Sequence, residues 1–518
     1  MATNIYSNDI DNNLDVSAAT YLGGSGDDAT NAVDISLDGN VVIVGGLSSS
    51  STQSGENIDL LGGGKGSIIR YDSQTNEVIS TTQLPGKVLD LQVSDNGDIA
   101  VAYEGGIAVL NADASEVKWS KPLSYVSRIS ISESGKVAAM RDIPGSDWIE
   151  LYDSTGNKSQ TWKTDKYTRH FEDVAITDKN GGQVIGVGYE QKTNILQVGF
   201  AQSWSFEGEE QWKNYDYSAE ELDPTQENLM ADTRIERVSI GRDGELYMSA
   251  YVNGGFNFSQ FERDPYDLDQ KANQENVIVD KYNNSYNTDS IALSYYGQYN
   301  LKDGDLIKGQ PLLGRRSDDK GNTVKINSIT ATEDGTVVLG GIAASGIENR
   351  NQQTIEGQEV NPYTLYDGYI AIIDSSLEER LVWTPITSKS SNTVAAARNG
   401  VIAAGSTTKY EGDQITHNAV QEDKAGGAES HLVVIGGNDP LSDVELAPPL
   451  EEAVNESSNL PVVEEPVSES SNPPVVEEPV SESSNPPVVE EPVIESSNPP
   501  VVEEPVIESS NPPVVEEP

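Results

Sequence analysis

Short apolar runs, rich in β-branched residues, recur along the first 435 or so residues and are separated by polar turns. Seven of those turns end in glycine: Asp38-Gly39, Asn96-Gly97, Ser134-Gly135, Asn180-Gly181, Asp243-Gly244, Asp334-Gly335 and Asn399-Gly400. Such dipeptides accept the positive backbone angles of tight two-residue hairpins, and seven in register mark a repeat architecture. In the first unit the pattern predicts strands at 32–36, 41–46, 67–71 and 78–84; the second repeats them at 88–93, 99–103, 107–110 and 117–123. The third places them at 126–131, 137–140, 148–152 and 160–164. The period is that of strands, and no amphipathic helix competes with it. The chain reads as all-β.

Seven four-stranded units closed in a circle make a seven-bladed β-propeller, which hides its sheet edges by radial repetition. The last unit offers only three strands, at 393–397, 401–404 and 431–435. Ala18–Leu22 stands ahead of the first complete unit and reads as the missing fourth strand, so the N-terminus is expected to seal the ring. Residues 1–17 are then a flexible N-terminus, 18–440 the propeller and 441–518 a disordered tail. Trp119, Trp162, Trp212 and Trp383 fall at one point of the last strand in four units. They are expected to wedge between neighbouring sheets rather than to form a ligand platform.

The string Thr20-Tyr-Leu-Gly-Gly-Ser-Gly-Asp-Asp28, followed by Val33-Asp-Ile and Asp38-Gly39-Asn40, resembles the bacterial seven-bladed propeller repeat of the SBBP family. Outer hairpins such as Val109 to Trp119 are similar to quinoprotein (PQQ-like) propeller repeats. The resemblance implies the fold and a bacterial surface or extracellular role; both families vary widely in activity. Most later units lack the Tyr-Leu-Gly-Gly-Ser-Gly-Asp-Asp string.

Composition changes abruptly in the tail. From Ser457 the segment Ser-Ser-Asn-x-Pro-Val-Val-Glu-Glu-Pro-Val-x-Glu returns at Ser470, Ser483, Ser496 and Ser509, a period of 13. Regular proline denies helix and central strand, and three Glu per period repel one another, so an extended spacer or stalk is expected. The repeat breaks off in mid-unit at Pro518, and the expectation is either a truncated gene or a further C-terminal module. The net charge of −51 repels nucleic-acid phosphates and anionic lipids, so neither is an expected partner. There is no cysteine, which excludes disulfides, thiolate metal sites and cysteine nucleophiles. Met1–Asn13 is polar and acidic and does not read as a signal peptide. No apolar run approaches the ~20 residues of a membrane-spanning helix. The expected location is extracellular or cell-surface by a signal-peptide-independent route, with the cytoplasm as the alternative.

If the first strand of each blade is innermost, the glycine turns share one face and the insertions share the other. Those insertions are 47–66, 253–288, 345–365 and 409–430 within blades, and 218–233 and 313–323 between them. Long loops gathered on one rim of a rigid scaffold are where binding resides. The loop at 253–288 carries Phe256, Phe258, Phe261, Tyr266, Tyr282 and Tyr286 among carboxylates. Aromatic faces beside carboxylates suit a sugar, so Phe256, Phe258, Tyr266 and Tyr282 are the candidate ligand contacts; the competing reading folds these aromatics back as the loop's own core. Asp264, Asp267 and Asp269 are candidate calcium ligands, without the spacing of an EF-hand; Asp27-Asp28 is a weaker one. His417 and His431 flank one late loop and are a candidate two-histidine metal pair. No cofactor other than calcium is expected.

Catalytic signatures are missing. There is no Gly-x-Ser-x-Gly elbow, and Gly62-Gly-Gly-Lys-Gly66 fits neither phosphate-binding fingerprint. The expected function is a non-catalytic secreted or cell-surface propeller that binds glycan or protein through the long-loop face. The alternatives are a glycosidase or lyase with a carboxylate pair on that face, and a structural surface-layer or matrix component.

Overall fold

A computed structural model describes residues 14–47, 55–165, 167–193, 196–217, 232–253, 261, 263–264, 267–271, 292–312, 314–315, 321–344, 354–355, 358–359, 366–387, 389–408 and 414–436. The chain divides into a unit spanning Met1–Val444 and one spanning Glu445–Pro518, and all described residues belong to the first. The proline-rich repeats lie outside the described residues.

Seven antiparallel sheets, blades I to VII, follow one another along the chain. Their inner strands are Ala29–Ile35, Val88–Val93, Val126–Ile131, Arg169–Thr177, Thr233–Ile240, Val324–Ala331 and Ser390–Arg398. Each inner strand packs against the inner strands of both neighbours, and that of blade VII meets that of blade I. The molecule is a closed seven-bladed propeller. Val16–Leu22 pairs antiparallel with Glu429–Ile435, Val16 opposite Ile435 and Leu22 opposite Ser430, and is the outermost strand of blade VII. The N-terminus therefore closes the ring as the three-strand count of the last unit demands.

The glycine turns have the expected backbone but not the expected length. Gly39, Gly97, Gly135, Gly244, Gly335 and Gly400 have φ between 76° and 86°. Only Asn399-Gly400 is a two-residue hairpin, joining Arg398 directly opposite Val401. In the other six blades five residues separate the strands. The additional residues are held by side chains: Ser36 Oγ donates to Asp38 Oδ1 at 2.6 Å, and the Asn40 N–H donates to the same oxygen at 3.1 Å. Ser94 with Asn96 and Thr332 with Asp334 repeat this bond. A short polar side chain that bonds its own backbone makes a longer loop as definite as a tight one.

Among the described residues seven apolar clusters, one between each adjacent pair of blades, replace a single core, and a small eighth gathers Leu196, Val198 and Tyr217 of blade IV. Middle strands are consequently buried on both faces; Ile99–Tyr103 and Val401–Thr408 are buried at every residue. This is why the sequence shows continuous apolar runs as often as clean alternation. Space is tight: a Cβ on Gly45 would stand 2.4 Å from Leu91 of the next blade.

The tryptophans act as wedges, with one change of side. Trp162 stacks on Trp204 of blade IV at 5.1 Å, and Trp212 Nε1 donates to Leu301 O of blade V at 3.1 Å. Trp119 and Trp212 each follow a bulge immediately. Trp383 comes one residue later, opposite Ala371. In a strand one residue reverses the face, and Trp383 packs backward against Tyr247, Tyr296 and Leu312 of blade V.

Outer edges are blunted in three ways. Pro122, Pro311 and Pro385 interrupt the outer strands of blades II, V and VI. Glu56–Asp59 lies parallel to the outer strand of blade I, and the 414–421 segment bridges the sealing strand through Ala19 and His417. Blades III and IV carry charge there, with Lys158, Lys163, Glu210 and Lys213. Among the described residues no helix is long and apolar enough to cross a membrane.

Candidate functional site

Every inner strand has a bulge between its second and fourth residue, at Asn31, Leu89, Ser127, Glu172, Glu236, Asn327 and Ser391. The residue that follows faces the next blade. It is Asp90, Arg128, Asp173 and Arg237 in blades II to V, an alternation of sign around half of the central channel. These side chains satisfy the free edges of neighbouring inner strands. Asp34 accepts the Val93 N–H at 2.7 Å, Asp90 that of Ile129 at 3.0 Å, and Asp173 that of Val238 at 3.1 Å. Ser130 and Ser328 do the same for Ile176 and Ala395, Arg237 Nε donates to Asn327 O, and Asn392 Nδ2 to Thr30 O. All seven steps of the ring are bridged. Burial pushes the Asp90 carboxyl up to about 6, while nearby Arg128 pulls it back.

The two mouths of this channel differ. At the turn face, Arg242 of blade V reaches across to Asp34 of blade I at 2.7 Å and to Val93 O of blade II at 3.4 Å. Arg398 of blade VII joins through Asp95 at 3.1 Å. Four blades are cross-tied there. At the loop face a row of polar and aromatic side chains runs across blades III, IV and V instead. Asp147, at the start of the third strand of blade III, accepts the Phe171 N–H at 3.2 Å and stands 3.5 Å from His170 Nδ1. The His170 ring stacks on Tyr189 at 4.6 Å, 17° from parallel. Arg234 lies over Tyr189 at 4.4 Å and 5.8 Å from the Tyr251 ring. Burial and the Glu172 charge push the Asp147 carboxyl up to about 7. Glu172 is itself raised, by burial and then by the neighbouring Glu236.

Around this row stand the exposed aromatics. Tyr125 (58% exposed), Tyr167 (86%) and Tyr366 (60%) all lie on loop-face connections. Half-buried Trp148 lies on the same face, with Arg141 and Lys163 over its ring at 5.3 and 3.9 Å. Tyr125 and Tyr366 have φ of 63°, a left-handed backbone that glycine would adopt without strain.

The sequence-derived candidates fare differently. Phe256, Phe258, Tyr266, Tyr282 and Tyr286 lie outside the described residues. Phe261 of the same loop is fully buried, its ring against Tyr215 at 5.2 Å and Tyr295 at 5.8 Å. That aromatic belongs to the core of blades IV and V. Asp264 is the backbone partner of Asp267 in a small hairpin, Arg263–Asp264 with Asp267–Lys271, and Asp269 sits on its second strand. Among the described residues no group of three His, Asp or Glu side chains is gathered around a cation position. Asp27 and Asp28 serve the clasp: Asp28 accepts the Gly24 N–H at 2.7 Å and Asp27 the Ala428 N–H at 3.0 Å. His431 is buried with its Nε2 3.2 Å from Ile415 O, and burial lowers it to about 4. Its ring meets that of Tyr21 edge-on at 5.3 Å.

The row from Asp147 to Tyr251 was not singled out by sequence reading. Its members are scattered singly over several strands, with spacings of 23, 19, 45 and 17 residues from Asp147 through His170, Tyr189 and Arg234 to Tyr251. The one available signal is positional: charged or aromatic residues just ahead of the inner-strand bulge, as at His170 and Arg234.

Comparison with known proteins adds no identity. No protein-family model matches the chain, and no curated protein matches it in sequence. Solved structures similar to it include the β-propeller domain of Cps50 (Swd1) from Myceliophteria thermophila, at 9% identity and a TM-score of 0.43, covering 82% of this chain and 99% of that one. Sqt1 of Saccharomyces cerevisiae aligns at 11% identity and a TM-score of 0.41, over 83% and 94% of the two chains. A Bacteroides caccae protein of unknown function aligns at 10% and 0.32, over 62% and 91%. At these identities the likeness concerns the fold alone.

Proposed function

We propose that this protein is a non-catalytic bacterial binding module, secreted or displayed at the cell surface, that holds glycan or protein on the loop face of its propeller. The observation that carries the reading is the one-sided placement of exposed tyrosines, two of them on strained backbone. A left-handed tyrosine costs on the order of 1–2 kcal/mol over glycine, and strain retained on a surface is a sign of selection for the side chain. The opposite mouth is tied shut by arginines. In this reading the acidic repeats after Ser457 are a spacer to a surface or to another module, and the Thr20–Asp28 string, similar to SBBP repeats, serves as the ring's clasp.

One observation favours a second reading as a carbohydrate-active enzyme. Glu172 and Glu236 are neighbouring carboxylates with one of them raised, the electrostatic condition of a glycosidase acid and its partner. A glycan array followed by product analysis separates the two. Retention without cleavage, lost with Tyr167→Ala and weakened by Tyr125→Gly while the melting temperature holds or rises, is the expected result. Turnover abolished by Glu172→Gln would establish the enzyme instead. Undiminished retention in both tyrosine variants would remove the loop face from consideration.

A further inference from the structure

We propose that Arg234 reads a carboxylate, and that the ligand of the loop face is an acidic polysaccharide carrying uronate units; this rests on the binding role argued above and assigns its ligand class.

Arg234 is held as a preorganised receptor. Its Nε donates to Gln197 Oε1 at 2.7 Å, Gln197 Nε2 donates to Gln191 Oε1 at 3.2 Å, and Gln191 Nε2 donates to Thr193 O at 2.6 Å. That chain of amides fixes the guanidinium plane, and the Tyr189 and Tyr251 rings supply flat support. Among the described residues no carboxylate is paired with Arg234, although the chain has 84 acidic residues against 33 basic ones. Among the described residues neither terminal nitrogen of Arg234 has a hydrogen-bond partner. A guanidinium oriented through Nε with its two Nη atoms open presents the fork that accepts a carboxylate in two parallel hydrogen bonds.

The surroundings select among anions. Glu172 lies within electrostatic reach of Arg234 and beside Glu236. Arg237 and Arg128 lie within the same electrostatic reach of Glu172, so the glutamates are offset by cations and act here as hydrogen-bond acceptors for hydroxyls. A carboxylate on a hydroxyl-rich ring therefore matches both the planar fork and the acceptors beside it. The Tyr189 ring is taken up by His170 and by the guanidinium itself, and the half-buried Tyr251 ring, 5.8 Å from the guanidinium, is the aromatic beside the fork against which the C–H side of a sugar can pack. An acidic peptide supplies the carboxylate but brings no hydroxyl row to the two glutamates.

Calorimetric titration of the full chain with a short oligogalacturonate, its methyl ester and a glutamate-rich peptide tests this, with melting temperatures checking the fold of each variant. The acid is expected to bind at least about tenfold more tightly than the ester. Arg234→Gln should remove that preference, and Arg234→Lys should restore part of it. Equal binding of acid and ester, or an unaltered preference in Arg234→Gln, overturns the proposal. So does binding of the peptide alone, which keeps the loop face as a protein site. Loss of saccharide retention in Tyr167→Ala but not in Arg234→Gln would leave the binding role standing and sink the assignment of Arg234. If saccharide and peptide are both ignored, the binding role itself falls.

Discussion

Asp147 shows how a single side chain can set a pH response. It is 2% exposed, bonded to the Phe171 N–H and placed against His170. Burial moves its carboxyl from 3.8 to about 7. Between those values the folded chain keeps a proton that the unfolded chain has lost. Stability contributed by this group is thus fully present below about pH 4 and is lost as pH rises through about 7. Asp147→Asn removes the buried charge and retains an acceptor for Phe171. The variant should gain melting temperature relative to the native chain at pH 8 and little at pH 5; an equal difference at both would contradict the assignment. None of this was legible in the sequence, where Asp147 is one acidic residue in 84. Its environment is made by Phe171 and Glu172, residues of the next blade.

At the scale of the element, the outer turns explain why some glycines are replaceable and others are not. Gly156 has φ 84° and a Cβ there would stand 2.8 Å from Trp119 of the preceding blade. Gly145 has φ 86° and nothing within 4 Å. Alanine at Gly145 incurs backbone strain of about 1–2 kcal/mol. Alanine at Gly156 adds overpacking of roughly 1–3 kcal/mol more. Urea midpoints should therefore fall further for Gly156→Ala than for Gly145→Ala, and equal shifts would deny the wedge. The same element scale shows where sequence patterns mislead. Trp383 looks equivalent to Trp119, yet one residue of register sends it to the opposite face. The glycine dipeptides looked like two-residue hairpins, but the Ser36–Asp38 type of bond makes five-residue loops of most of them.

The whole molecule is stabilised by seven similar interfaces and one closure. The apolar cluster between blades VII and I includes Ala18 and Leu22 of the sealing strand. Removing residues 1–22 would bare the edge of Glu429–Ile435 and part of that cluster together. An exposed apolar edge strand templates association. The truncated chain should elute as aggregates in size-exclusion chromatography; a monodisperse, cooperatively melting product would show that the clasp is dispensable.

Strand period, glycine turns and a last unit short by one strand determined the seven-bladed ring and its seal, because each depends on residues close together in the chain or on simple counting. The face that bears the insertions followed from strand order. The tertiary structure alone decided which side chains meet at that face. Asp34 bonds Val93 and Arg242, 59 and 208 residues away, and Asp147, His170, Tyr189 and Arg234 converge from three blades. Backbone patterning is set by local forces that leave a periodic trace, whereas a site assembled by ring closure brings together positions whose spacing in the chain has no period of its own.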